Sequence, residues 1–229
     1  MNRQVVLDTE TTGLDAALGH RIIEIGAVEV VNRQPTGATY HVYLNPEREI
    51  DAGAVAVHGI TVEFLADKPR FADAARDFLE FVRDAELVIH NAPFDVGFLN
   101  AELKRLDDGP LSRYCGVLDT LKLARELHPG QKNNLDALCK RYQVDNSGRN
   151  FHGALLDAQL LAEVYLAMTR GQESLGIELV DRPGTLRQGT ARPRRHGALK
   201  VLRALPHELA AHAAYLEGLD KEGAEVTTW

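Results

Sequence analysis

Val5-Val6-Leu7-Asp8-Thr9-Glu10-Thr11-Thr12-Gly13 is a run of three apolar residues that passes straight into two acids. The apolar start reads as a buried strand. Successive strand side chains point to opposite faces, so Asp8 and Glu10 share one side, with Val6 behind them. Two carboxylates crowded at the end of a core strand raise each other's pKa and cost free energy unless a positive charge lies between them. A divalent cation that favours hard oxygen ligands, Mg2+ or Mn2+, meets that need. The same residues also fit a strand ending in a polar Thr/Gly turn with its acids in water, and the stretch alone does not choose between the two.

Outward from it, Ile22 to Val31 is rich in β-branched residues and reads as a second strand, with His41-Val42-Tyr43-Leu44 before Asn45-Pro46 as a third. Short turns between them predict an antiparallel meander joined to the first strand. Residues 51–66 show no clear period. Phe71, Ala74, Ala75, Phe78, Leu79 and Val82 recur at helical spacing, and Glu86 to His90 reads as a short buried strand. Asn91 and Pro93 open a helix through Phe94, Phe98, Leu99 and Leu103 that ends near Asp108-Gly109-Pro110. Val117-Leu118-Asp119-Thr120 leads into a helix as far as His128-Pro129-Gly130, followed by helices over Leu135 to Tyr142 and Gly153 to Thr169. Strands first and helices alternating later predict an α/β or α+β domain around a mixed sheet.

That domain is expected to end near residue 170. Residues 171–229 carry eight Lys and Arg and eight Asp and Glu, so the whole net charge of −7 lies in residues 1–170. An acidic domain gains little from counterion release on nucleic acid, so something else must help hold it there. Arg182, Arg187, Arg192, Arg194, Arg195 and Lys200, with Pro and Gly between them and no acid, read as a flexible basic linker over 182–203. Residues 204–229 recover a short helix from Leu205 to Leu216, too small to bury a core and expected to order against a partner. Cys115 and Cys139 lack metal-ligand spacing and read as buried thiols, not a disulfide. No apolar run is long enough to span a bilayer and no signal peptide opens the chain, so a cytoplasmic protein is expected.

Three further residues carry possible chemistry. Asp95 lies in the first turn of its helix, where the dipole favours an acid and is sufficient explanation; the helix nonetheless starts where a buried strand ends, on the side of a sheet where sites form. Asp157 shares a helical stripe with Leu161, Val164 and Met168, so its carboxylate faces the core and needs a partner such as a metal. His152 beside Gly153 reads, by itself, as an ordinary surface or capping histidine.

Together, Asp8-Thr9-Glu10, Asn91-Ala92-Pro93-Phe94-Asp95, and His152 with Asp157 resemble the three motifs of the DEDDh 3′–5′ exonucleases. Val6 to Gly13, Ile22 to Val31, His58-Gly59-Ile60 and His152 to Ala158 are similar to the epsilon-type proofreading subunits of bacterial DNA polymerase III. The resemblance implies a ribonuclease-H-like fold, a mixed five-stranded sheet flanked by helices, plus a flexible C-terminal tail. It also implies two divalent metal ions, Mg2+ or Mn2+: Asp8, Glu10 and Asp157 holding the one that activates water, Asp8 bridging to the second, Asp95 acting partly through bound water. His152 is then the general base, a role that imidazole commonly fills, and 5′-mononucleotides are the products.

The resemblance further places Asp8, Thr9, Glu10, His58 and Asp157 against the terminal nucleotide, with Leu14 as an apolar wedge; an acid common in the family five positions before His58 is Gly53 here. In the tail, residues 171–181 contain Gln172-Glu173-Ser174-Leu175-Gly176-Ile177, similar to a sliding-clamp peptide, with Gln172, Leu175 and Ile177 as contacts and Ile177 where Phe is typical. Residues 207–229, ending in Trp229, resemble the segment that binds the alpha polymerase subunit. A 3′–5′ exoribonuclease of the same superfamily and a mainly structural polymerase subunit are the alternatives.

Overall fold

A computed structural model of the chain describes residues 3–149, 151–170 and 205–221, with side chains of the last segment through Leu216. Two units divide it, residues 1–176 and 177–229. In the first, five strands form one sheet in the order β3-β2-β1-β4-β5. They are β1 (Arg3–Thr11), β2 (Ile22–Val31), β3 (Gln34–Tyr43), β4 (Glu86–Ile89) and β5 (Gly116–Asp119). β1, β2 and β3 form the expected antiparallel meander, and β4 and β5 add parallel to the other edge of β1. The mixed α/β sheet expected from the sequence is present.

Alternation along β1 decides what each face buries. Val5 and Leu7, with Leu87 and Ile89, belong to the cluster that contains Phe71, Phe78, Phe98 and Leu99. These aromatic and aliphatic side chains come from α3 (Phe71–Val82) and α4 (Ala92–Arg105). Burying a side chain as large as Phe78 contributes roughly 1.5–3 kcal/mol. Val6, Val28 and Val88 point the other way, into a cluster with Leu138, Leu161 and Val164. There they meet α6 (Leu135–Tyr142) and α7 (Ala154–Met168). Asp8 and Glu10 therefore belong to the α7 face and Thr9 to the α4 face.

The structure sharpens the sequence expectations at several places. β3 begins at Gln34 and not at His41; residues 34–39 are exposed at the sheet edge, so burial stamps no alternation on them. Residues 51–66 hold α1 (Ala52–His58) and α2 (Val62–Leu65), too short for a helical period to declare itself. Val117 to Asp119 belongs to β5, and α5 (Thr120–Leu127) starts only after Asp119, whose carboxylate caps it. The helix opened by Asn91 ends at Arg105, slightly before the predicted stop.

The second unit contributes α8 (Pro206–Lys221), the helix expected after Leu205. The clamp-like peptide at 172–177, the basic stretch at 182–203 and the terminal residues 222–229 lie outside the described residues. Cys115 and Cys139 are free and buried. Among the described residues no helix is long and apolar enough to cross a membrane.

Candidate active site

Pairing with β4 stops at Leu7, opposite Ile89, so β1 runs on past the end of its parallel neighbour. Asp8 and Glu10 sit on that extension, beside the carboxyl ends of β4 and β5. Sites in sheets with parallel strands form at this end. Asn91 turns the chain there through a left-handed conformation, φ 66°, and delivers Asp95 in the first turn of α4. Thr9, on the α4 face, donates its hydroxyl to Asp95 Oδ1 at 2.7 Å. Asp95 is thereby fixed against β1 from one side of the sheet.

Asp157 arrives from the other side. Asp8 is paired across the ladder with Gly26. A Cβ at Gly26 would lie 2.1 Å from Leu155 N and 2.2 Å from the Ala154 carbonyl carbon. The missing side chain lets the first turn of α7 rest directly on β2. Asp157, one turn in and 3% exposed, is thus carried to the end of β1.

Four carboxylates so placed suffer desolvation and mutual repulsion. Asp8 is raised well above the usual carboxylate range by burial, then by Asp95, Glu10 and Asp157. Glu10 is pushed up to about 8 by burial and next by Glu24, its cross-strand partner on β2. Asp95 is pushed up to about 7 by burial, against the hydrogen bond from Thr9. Such a cluster favours a bound cation strongly. One ligand atom each from Glu10, His152 and Asp157 lies within 4.8 Å of the others, and the donor set of hard oxygens with one imidazole suits a divalent ion. The residues present fit a metal.

His152 is the accessible member, its side chain 47% exposed, with Nδ1 3.8 Å from Asp157 Oδ2. Its backbone N–H donates to the Val57 carbonyl, which ties the loop before α7 to α1. His58, at the end of α1, is buried; its Nδ1 accepts from Ile60 N, which leaves the proton on Nε2. That Nε2 is buried with the Thr11 backbone near it, and burial lowers the ring's pKa. These residues line one cleft of 670 Å³, which also takes in Thr9, Gly53 and the highly exposed Leu14.

The cleft thus brings together Asp8, Thr9, Glu10, His58, Asp95, His152 and Asp157. Gln172, Leu175 and Ile177 fall outside the described residues. Three charged groups escape the sequence reading: Arg149, Asp136 and Glu24. Arg149 lies against Asp157 and Asp136, both in the cleft wall. Glu24, 2% exposed, bonds His41 and raises Glu10. Its apolar neighbours Ile22, Ile23 and Ile25 were the available signal, because an acid inside such a strand needs a reason to be buried.

A family model described as Exonuclease matches residues 5–165. The chain is 51% identical to the DNA polymerase III subunit epsilon of Escherichia coli strain K12, over 97% of this chain and 96% of that one. It is 47% identical to the subunit of that name from Haemophilus influenzae, over 100% of this chain and 94% of the other. Among solved structures it is similar to exonuclease X in complex with 5′ overhanging duplex DNA: 29% identity, TM-score 0.58, 72% of this chain and 90% of that chain. A zinc-bound complex of Escherichia coli exonuclease I with single-stranded DNA aligns at 22% identity with a TM-score of 0.65, covering 75% of this chain and 41% of that one; this bears on the fold alone.

Proposed function

The chain belongs to the exonuclease family, among the DNA polymerase III epsilon subunits, and from that membership we propose its reaction: stepwise 3′–5′ hydrolysis of DNA ends during replication, releasing 5′-mononucleotides. The observation that carries this reading is the convergence of four carboxylates and one half-exposed imidazole, from β1, α4 and α7, at one end of the sheet. Exonucleases of this family generally use divalent metals. Two ions, Mg2+ or Mn2+, held by Asp8, Glu10, Asp95 and Asp157, would supply charge relief on the phosphoryl oxygens and a more acidic water.

The chain's own groups do the rest. His152 presents its ring to the cleft and takes the proton of the attacking water, a role an exposed imidazole fills near neutral pH. His58, which lines the cleft, stands where it can contact the terminal nucleotide. Leu14, 86% exposed at the cleft, is the apolar surface on which the terminal base rests. The Thr9 hydroxyl is committed to Asp95, so Thr9 contributes its backbone carbonyl to substrate and its side chain to the site's framework.

The acidic domain of residues 1–170 holds DNA weakly by charge alone. Residues 204–229 supply the missing hold by binding the alpha polymerase subunit, and residues 172–177 bind the sliding clamp, so only ends handed over by the polymerase are edited. Editing beside the replicative polymerase is a cytoplasmic task, and that is the location we propose for the protein. Truncation after Arg170 is expected to preserve hydrolysis of frayed ends and abolish association with alpha; co-elution of the truncated chain with alpha would refute the tether. Loss of clamp binding on Gln172→Ala with Leu175→Ala tests the clamp peptide. For the reaction itself, matched 5′-labelled DNA and RNA strands are compared: preferential shortening of DNA from the 3′ end supports proofreading, and preferential shortening of RNA overturns it.

A further inference from the structure

Arg149 has a side chain 7% exposed, in the loop between α6 and α7. Its Nε and Nη2 donate to the two oxygens of Asp157, each at 2.5 Å, in the bidentate form that guanidinium and carboxylate geometry favours. Nη1 donates to Asp136 Oδ1 at 2.7 Å, and Nη2 also lies 3.2 Å from His152 Nδ1. Arginine carries no acceptor, so His152 Nδ1 must accept, and its lone pair is occupied. One cation therefore covers both oxygens of a carboxylate in the metal-favouring cluster and a ring nitrogen of the proposed base.

Burial opposes the guanidinium charge, while Asp157 and Asp136 hold it. The group stays charged at any working pH, so it cannot make way for another cation by losing a proton. It has to move. Asp136, on α6 and half exposed, offers a place to stay: the bond to Nη1 survives if Nε and Nη2 swing away from Asp157.

We propose that Arg149 is an internal counter-ion, holding Asp157 and His152 in the metal-free protein and displaced when a divalent cation binds, so that metal loading and release of the base are one event. The inference rests on the metal-dependent reading of the site. It makes Arg149 a positioning residue that keeps the acids paired between metal-binding events and silences His152 until a metal is present. Removing the positive charge would tighten metal binding by simple electrostatics. Lysine separates that effect from displacement, because it keeps the charge and loses the two-pronged grip.

The test uses the full chain without DNA. In the wild type, the Nε–H resonance of Arg149 is followed by 15N NMR during Mg2+ titration, and Mn2+ affinity is measured calorimetrically for the wild type, Arg149→Lys and Asp157→Ala. Displacement predicts a resonance protected from exchange in EDTA that shifts and loses protection as Mg2+ saturates. It also predicts that Arg149→Lys binds Mn2+ roughly five- to tenfold more tightly, a change of about 1–1.4 kcal/mol. An Nε–H unmoved at saturating Mg2+, with Arg149→Lys binding Mn2+ as the wild type does, overturns the inference and leaves the metal site standing. Mn2+ binding insensitive to Asp157→Ala overturns the reading of the site and the inference with it.

Discussion

Thr9 Oγ1 donates to Asp95 Oδ1 at 2.7 Å, and the bond joins the strand that carries Asp8 and Glu10 to the helix that carries a third carboxylate of the cluster. Both partners are buried. Because Thr9 points to the face opposite Asp8 and Glu10, its hydroxyl acts on the site only through Asp95. A hydrogen bond to a charged group is worth about 1.5–3 kcal/mol. Thr9→Val should therefore cost about that much stability and lower kcat roughly tenfold with Mg2+, whereas Thr9→Ser should stay near wild type. Urea unfolding and steady-state hydrolysis check both; full activity in Thr9→Val would mean that Asp95 needs no such anchor.

Gly26 controls the approach of α7. A Cβ there would overlap the backbone of Ala154 and Leu155, so the helix must lift and carry Asp157 with it. Overpacking of this kind costs about 1–3 kcal/mol, and a displacement of a catalytic group by ~1 Å can cost ~100-fold in rate. Gly26→Ala is expected to show a larger loss in kcat than in melting temperature, together with weaker metal binding. Unimpaired activity would show that the close approach does not position Asp157.

Burial pushes Glu10 up to about 8 and Asp95 up to about 7. A carboxyl that holds its proton more tightly when folded contributes stability that is fully present below its unfolded pKa, near ~4, and lost as pH rises through the folded value. Metal-free protein should thus melt at a lower temperature at pH ~8.5 than at pH ~6. Saturating Mg2+ should remove most of that fall. Melting curves in EDTA and in Mg2+ across this window decide the matter; a flat profile in EDTA would show that the acids titrate as exposed ones do.

The sheet was legible where burial imposes a pattern. Val5 to Leu7, Ile22 to Val31 and the apolar stripe of α3 announce their faces because the core needs them. The first half of β3 is exposed, and α1 and α2 are a few residues long, so neither carries a period to read. The site divides in the same way. Asp8 and Glu10 stand out because acids rarely end a core strand, and Asp157 because it shares a stripe with Leu161 and Val164. Arg149 gives no such signal: its importance depends on Asp136 and Asp157, which only folding brings to it. Glu24 is hidden for the opposite reason, as one acid among residues that read simply as strand.

We propose a metal-dependent site in which His152 is the base for shortening DNA from its 3′ end. Degradation of a 5′-labelled single-stranded DNA by the wild type and His152→Ala, each in Mg2+, Mn2+ and EDTA, tests it most directly. A ladder from the 3′ end is expected in either metal, none in EDTA, and a loss of roughly 10²–10⁴-fold in the variant. An undiminished ladder in His152→Ala, or one that persists in EDTA, would contradict it.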